Sequence, residues 1–432
     1  MTRAAVGVLG VLGLVAALWL YTSRRASPEP GDAGLPPLPG EPLLESEGRI
    51  VPGRWRAARE SSPATPEQQA KIEMLESIGY VGGSRPPDEI TGVVAHDPDR
   101  AQPGYNFFTS GHFPGAVLMD MEGRVLHRWE RPVEDIWLEE GAFRDRDYWR
   151  RAHLFENGDV LAIIEGLGIF KLDRRSRVLW AVKNQAHHDL EVQPDGDILV
   201  LTRRAHMMPR LHETEPILED FVVRLDSEGR ERQRVSLVEC VENSAYRDVV
   251  GKGRIGSGDI FHTNTVFSIR DSFGIEGEWA RPGNVLVCFC ALHMVAAIDL
   301  REESLLEKWT GPFRLQHDPK LLPGGAMMLF DNQGGKDGAS RVVEFDPVTR
   351  TVRWVYEGTG ASPLFSKTLG TADPQPAGTV LIVESDNGRV LEVTREGDVV
   401  WEYRSPYRYG EYVASIFDMV RIPPGFPLEW VP

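Results

Sequence analysis

The sequence predicts an all-β protein: a six-bladed β-propeller, preceded by an N-terminal membrane-anchor helix and a flexible linker. Three observations predict it. A strand–turn–strand unit recurs six times between Gly92 and the C-terminus. The 43 glycines and 31 prolines in 432 residues suit a turn-rich chain. The long apolar run stands at the N-terminus, ahead of every repeat.

The first element is that run, Ala4 to Tyr21, which carries no charge. At 1.5 Å per residue it extends about 27 Å, enough for most of a bilayer core. Trp19 and Tyr21 suit the far interface. No small-x-small cleavage site follows, so residues 1–25 are expected to be a retained signal anchor. The expected location is the inner membrane, single-pass, with the propeller in the periplasm.

Residues 26–91 are expected to be a linker with one short helix. Ser27 to Ala64 is rich in Pro, Gly, Ser and charge, as in a flexible tether. Thr65 then offers an N-cap and Pro66 a first helical position. Gly79 is expected to end the helix.

Residues 92–432 hold the repeats. Four are clear: His153–Leu161 leading to Trp180, Asp189–Leu199 leading to Gly229, Asp318–Gly325 leading to Trp354, and Pro376–Ile382 leading to Trp401. Two are weaker: Val117–Gly123 ending at Trp129, and Asn284–Val287 ending at Trp309. A four-stranded unit cannot bury both faces alone, whereas radial stacking buries them and shelters the edges. A β-sandwich gives no reason for six similar units. The C-terminal segment Ile416–Ile422 is expected to add a strand to the first blade and close the ring.

A net charge of −16 argues against a nucleic-acid partner, which demands a phosphate-neutralising surface. Cys240, Cys288 and Cys290 imply no disulfide framework. Cys288 and Cys290 would share one strand face and read as small buried hydrophobes.

Three blade starts carry histidine: Ala186-His187-His188-Asp189, Asp259 to Thr265 with His262 and Asn264, and Leu315-Gln316-His317-Asp318. His188 and His317 each stand six residues before the proline of the next turn, Pro194 and Pro323. They should therefore occupy equivalent places on innermost strands, with His262 entering from the blade between. A structural alternative is that each His–Asp pair fastens strands within its blade.

These strings, with Leu329 to Asn332 and Asn387 to Thr394, resemble the bacterial arylsulfate sulfotransferase family from about Gly92 to Pro424. The resemblance implies sulfuryl transfer from an aryl sulfate to a phenol through a sulfohistidine, without a nucleotide donor, cofactor or metal. On that pattern His317 is the nucleophile, and His188, His262 and Asn264 hold sulfuryl or phenolate oxygens. Its implied partners are phenolic small molecules and aryl sulfates. One departure stands out: Cys290 falls where the family places an arginine. Arg203, Arg204 and Arg314 are the candidates to replace that charge. The departure keeps a second reading open, a noncatalytic envelope propeller acting as scaffold or ligand-binding module. A metal-dependent hydrolase using His188, His262 and His317 has no compact ligand motif behind it.

Overall fold

The computed structural model describes residues 65–76, 86, 88–137, 147–251, 256–360 and 362–431. The expected anchor at 1–25 and the helix end at Gly79 lie outside the described residues. Among the described residues, no helix is long and apolar enough to cross a membrane.

Six antiparallel sheets form the propeller. Blade 2 runs from the innermost strand Arg151–Leu154 through Val160–Ile164 and Gly168–Leu172 to Val178–Val182. Blade 3 starts at Ala186–Val192, blade 4 at Thr263–Ser268, blade 5 at His317–Leu321 and blade 6 at Thr371–Pro374. Blade 1 takes its innermost strand from the other end of the chain. Ile416–Ile422 pairs with Tyr105–Ser110, so the ring closes by joining both ends of the propeller in one sheet. Gly92–His96 adds a fifth, outer strand to blade 6.

The second strand of each blade is largely apolar on both faces because each face is covered by a neighbouring blade. Val160–Ile164, Val285–Phe289, Met327–Asp331 and Val380–Glu384 are buried along their whole length. Outer strands such as Val125–Glu130, Val178–Val182 and Glu231–Ser236 are only partly buried.

The recurrent tryptophan has a specific job. Each stands on the fourth strand of its blade and its indole N–H donates to a turn carbonyl of the next blade. Trp180 reaches Ser227 O at 3.1 Å, Trp309 Pro347 O at 2.8 Å, Trp354 Arg395 O at 2.8 Å and Trp401 Met121 O at 2.9 Å. Trp129 does the same to Gly158 O at 3.0 Å. Blade 3 has no tryptophan on its outer strand Glu231–Ser236. Gln233 Nε2 serves there, donating to Leu300 O at 2.6 Å.

Thr65 caps the helix Pro66–Glu76 reciprocally. Gln68 N–H donates to Thr65 Oγ1 at 3.2 Å, and Thr65 N–H to Gln68 Oε1 at 2.9 Å. The helix docks on a long hairpin of blade 3, Ile198–Met207 with Pro216–Leu225. Ile72 is buried against Ala205 and Leu218, and Lys71 pairs with Glu215 at 2.9 Å.

Candidate active site

The innermost strands of blades 3, 4 and 5 each break register once. Pairing shifts between Val200 and Thr202, between Thr263 and Val266, and between His317 and Lys320. Such bulges re-aim side chains. His188 (φ 53°), His262 (φ 49°) and Asp318 (φ 57°) take left-handed backbone, which costs of order 1–3 kcal/mol each. The surrounding sheet holds them there.

Every blade contributes to a single cavity, with Phe417, Arg150, His188, Asn264, His317 and Gly370 among its lining from blades 1 to 6. In blades 2 to 6 each stands five residues before the one whose N–H pairs across the next connection: Phe155, Gln193, Ile269, Leu322 and Gln375. The cavity is polar on one arc and apolar on the other. Arg150, His188 and Asn264 lead to His317 on one side, while Gly370, Leu369 and Phe417 form the other. Gly370 (φ +106°) carries no side chain of necessity, because a Cβ there would lie 2.6 Å from the Phe330 ring.

His317 is held as one tautomer. Its Nδ1–H donates to Leu315 O at 2.9 Å and to Asn332 Oδ1 at 2.8 Å. The Asn332 amide is itself oriented, since Nδ2 donates to Ser366 O at 2.9 Å and Leu369 O at 2.6 Å. Nε2 therefore carries the ring's lone pair. Burial pushes the His317 pKa down to about 3, against the opposing bond to Asn332, so the ring is neutral. Asp318, the next residue, is occupied elsewhere. It pairs with Lys320 at 2.9 Å and accepts the Ala372 N–H at 3.1 Å.

His262 is the opposite case. Burial lowers its pKa, but the Asp259 carboxylate more than offsets this, with Asp220 and Glu165 adding to the upward shift. Asp259 accepts both the ring Nδ1–H at 2.6 Å and the backbone N–H at 2.8 Å. The His262 ring meets the His188 ring edge to face at 4.9 Å. Burial drives His188 well below its ordinary value, with Arg150 and His262 adding to the effect. Its backbone N–H donates to Glu165 Oε2 at 3.0 Å and its Nδ1 lies 2.8 Å from His187 Nδ1. Asn264 Nδ2 donates to Gln316 O at 3.0 Å, and Thr265 Oγ1 donates to Asn264 Oδ1 at 3.0 Å. The structure thus brings His188, His317 and Asn264 to one cavity, with His262 behind His188.

The aspartates after the histidines fasten blades to each other rather than strands within a blade. Asp189 accepts the Val266 N–H of blade 4 at 3.0 Å, and Asp318 the Ala372 N–H of blade 6. Arg151 spans the channel, 3.0 Å from Asp189 and 3.1 Å from Asp418.

Cys290 is buried beside the Asn264 amide, and its thiol pKa is pushed up by that burial. None of the three arginines weighed as replacements lines the cavity. Arg204 and Arg314 are exposed, and Arg203 is buried against Glu165 at 3.4 Å. Arg150 and Arg151 line it instead. The count that aligned His188 with His317 reaches Arg150 when applied from Glu156, at the first turn of blade 2. Asn332 was legible only as part of a motif, because its contact with His317 crosses two strands.

Glu165, His187 and His188 offer ligand atoms within 4.8 Å of one another. Arg150 and Arg203 flank that carboxylate at 3.7 and 3.4 Å, so a metal cation there would face two guanidinium groups. The donor set suits an anion better.

Fold and cavity together define a propeller with a buried, neutral histidine at the mouth of its channel. The arylsulfotransferase (ASST) family matches residues 151–406, more than half of the chain, and the chain belongs to that family. No curated protein matches it in sequence. Solved structures similar to it include a Bacteroides caccae protein of unknown function, at 14% identity and TM-score 0.49, covering 74% of this chain and 99% of that one. A streptogramin B lyase matches at 13% identity and TM-score 0.42, over 76% and 87%. The WD40 β-propeller domain of Doa1 matches at 12% identity and TM-score 0.41, over 79% and 96%.

Proposed function

We propose that this protein moves a sulfuryl group from an aryl sulfate to a phenolic acceptor through a sulfohistidine at His317. The observation that carries the reading is the locked tautomer. With Nδ1–H held by Leu315 O and Asn332, Nε2 offers its lone pair to the cavity's polar arc. In the first step Nε2 bonds to sulfur and the sulfur–oxygen bond to the aryl group breaks, releasing a phenolate; its proton comes from the part-exposed His262 imidazolium through solvent, since that ring packs behind His188. The Nδ1–H stays, so the sulfated ring is cationic and its two acceptors stabilise it. In the second step the acceptor phenol returns its proton to His262 by the same route, its oxygen bonds to sulfur, and the nitrogen–sulfur bond breaks. His188 and Asn264 hold sulfuryl oxygens as charge builds on them. The test is transfer from a chromogenic aryl sulfate to an added phenol. Parallel double-reciprocal lines are expected, and intersecting lines would overturn the two-step scheme.

The two histidines set the pH profile. With a pKa of about 3, His317 stays unprotonated through mildly acidic solution and imposes no acid limb there. His262 must be protonated, and its folded pKa lies above 6.5, so kcat/KM is expected to fall as pH rises beyond that value. His262→Gln should lower the plateau and remove this alkaline limb. Persistence of the limb in the variant would assign it to another group.

We propose also that Ala4 to Tyr21 anchors the protein in the inner membrane with the propeller outside it. Protease added to spheroplasts should then degrade the propeller. Full protection would reverse the topology.

A further inference from the structure

We propose that Arg150 is the cation that holds the sulfuryl oxygens, supplying from blade 2 the charge that Cys290 cannot supply from blade 4. The inference rests on the sulfuryl-transfer reading for the identity of the anion alone.

Position comes first. Arg150 lines the cavity with His188, Asn264 and His317, at the same count from its turn as those three. It stands on the polar arc, with Phe417 beside it. Its guanidinium carbon lies 5.4 Å from the centre of the Phe417 ring, which fixes the plane of the fork. Burial comes second. The residue is 5% exposed, and its Nε has no hydrogen-bond partner among the described residues. That Nε faces Glu165 Oε2 at 3.7 Å, an ion pair too long for a hydrogen bond, and among the described residues no side-chain hydrogen bond fixes the rest of the fork. Charge comes third. Glu165 is shared between Arg150 at 3.7 Å and Arg203 at 3.4 Å. Asp189 and Asp318, the acids of the cavity wall, are taken up by Arg151 at 3.0 Å and Lys320 at 2.9 Å. A sulfuryl group presents three oxygens to such a fork, whereas a neutral phenol has nothing to pair with it. The same geometry orients the substrate, with the anion against Arg150, His188 and Asn264 and the aromatic ring toward Gly370 and Phe417.

The test measures binding and turnover separately. 4-Nitrophenyl sulfate is titrated calorimetrically into the full chain carrying His317→Ala, with and without Arg150→Gln. Affinity should fall about 10- to 100-fold with Arg150→Gln, while affinity for unsubstituted phenol, which stays neutral near pH 7, should not change. In the parent chain, Arg150→Gln should lower kcat/KM roughly 10²–10³-fold, with Arg150→Lys intermediate. Cys290→Arg should recover part of the loss in the Arg150→Gln background. Should the Gln variant fail to fold, Arg150→Lys decides, and parental affinity and kcat/KM in it would overturn the proposal. Retention of both by a folded Arg150→Gln, with transfer intact in the parent, would sink the inference alone. Absence of transfer in the parent, with Arg150-dependent binding of the aryl sulfate, would sink the transfer reading and leave the anion site standing.

Discussion

His317→Ala should abolish sulfuryl transfer, with a loss on the order of 10⁶-fold, as when other covalent enzymes lose a nucleophile. The size follows from how little else in the cavity can replace it. The Nδ1 of His188 faces His187 and Glu165, and Asp259 holds His262 by its ring nitrogen. The thiols of Cys288 and Cys290 are buried with their pKa values pushed up, so neither offers a thiolate. The variant should fold, because the cavity borders the channel end rather than a blade core. Aryl sulfate hydrolysis or transfer at more than a thousandth of the parental rate in a folded His317→Ala would assign the chemistry elsewhere. Asn332→Leu provides the graded control. It leaves Leu315 O as the single acceptor of Nδ1–H, so the rate should drop without vanishing.

Trp401→Ala should cost about 3–5 kcal/mol of stability, the range for emptying a large buried aromatic site. Trp401 is fully buried, and its N–H bond to Met121 O ties blade 6 to blade 1. That seam joins the last blade to the first, beside the strand Ile416–Ile422 that closes the ring. Trp354 makes the equivalent bond to Arg395 O from a partly exposed position. Its replacement by alanine should therefore cost distinctly less. Urea denaturation followed by tryptophan fluorescence and circular dichroism checks the pair. Equal midpoints for the two variants would mean that the seam is no more demanding than any other.

These two sites also show where sequence reasoning reached and where it stopped. The tryptophan period was visible because every blade needs the same fastening to its neighbour. Blade 3 escaped the pattern, since a glutamine makes that bond. Blade 4 looked weak because residues 269–284 separate its first strand, Thr263–Ser268, from its second, Val285–Phe289. The histidine positions were legible because a turn follows each at fixed spacing. Arg150 obeys the same spacing but was overlooked, its turn lacking the proline used for counting. Asn332 and Glu165 touch their histidines from other strands, so no local spacing reports them. The register breaks were hidden as well. A bulge is fixed by how the channel end packs, and the extra residue leaves no mark in an apolar pattern.

The central claim is a covalent intermediate on one named nitrogen, and peptide mapping of trapped protein tests it most directly. The protein is mixed with a chromogenic aryl sulfate without acceptor, quenched at high pH where a nitrogen–sulfur bond survives, and digested. The account predicts one SO3 group on the peptide that contains His317, lost again when a phenol is added before the quench. Turnover with no modified peptide, or with the group on any other residue, would contradict it.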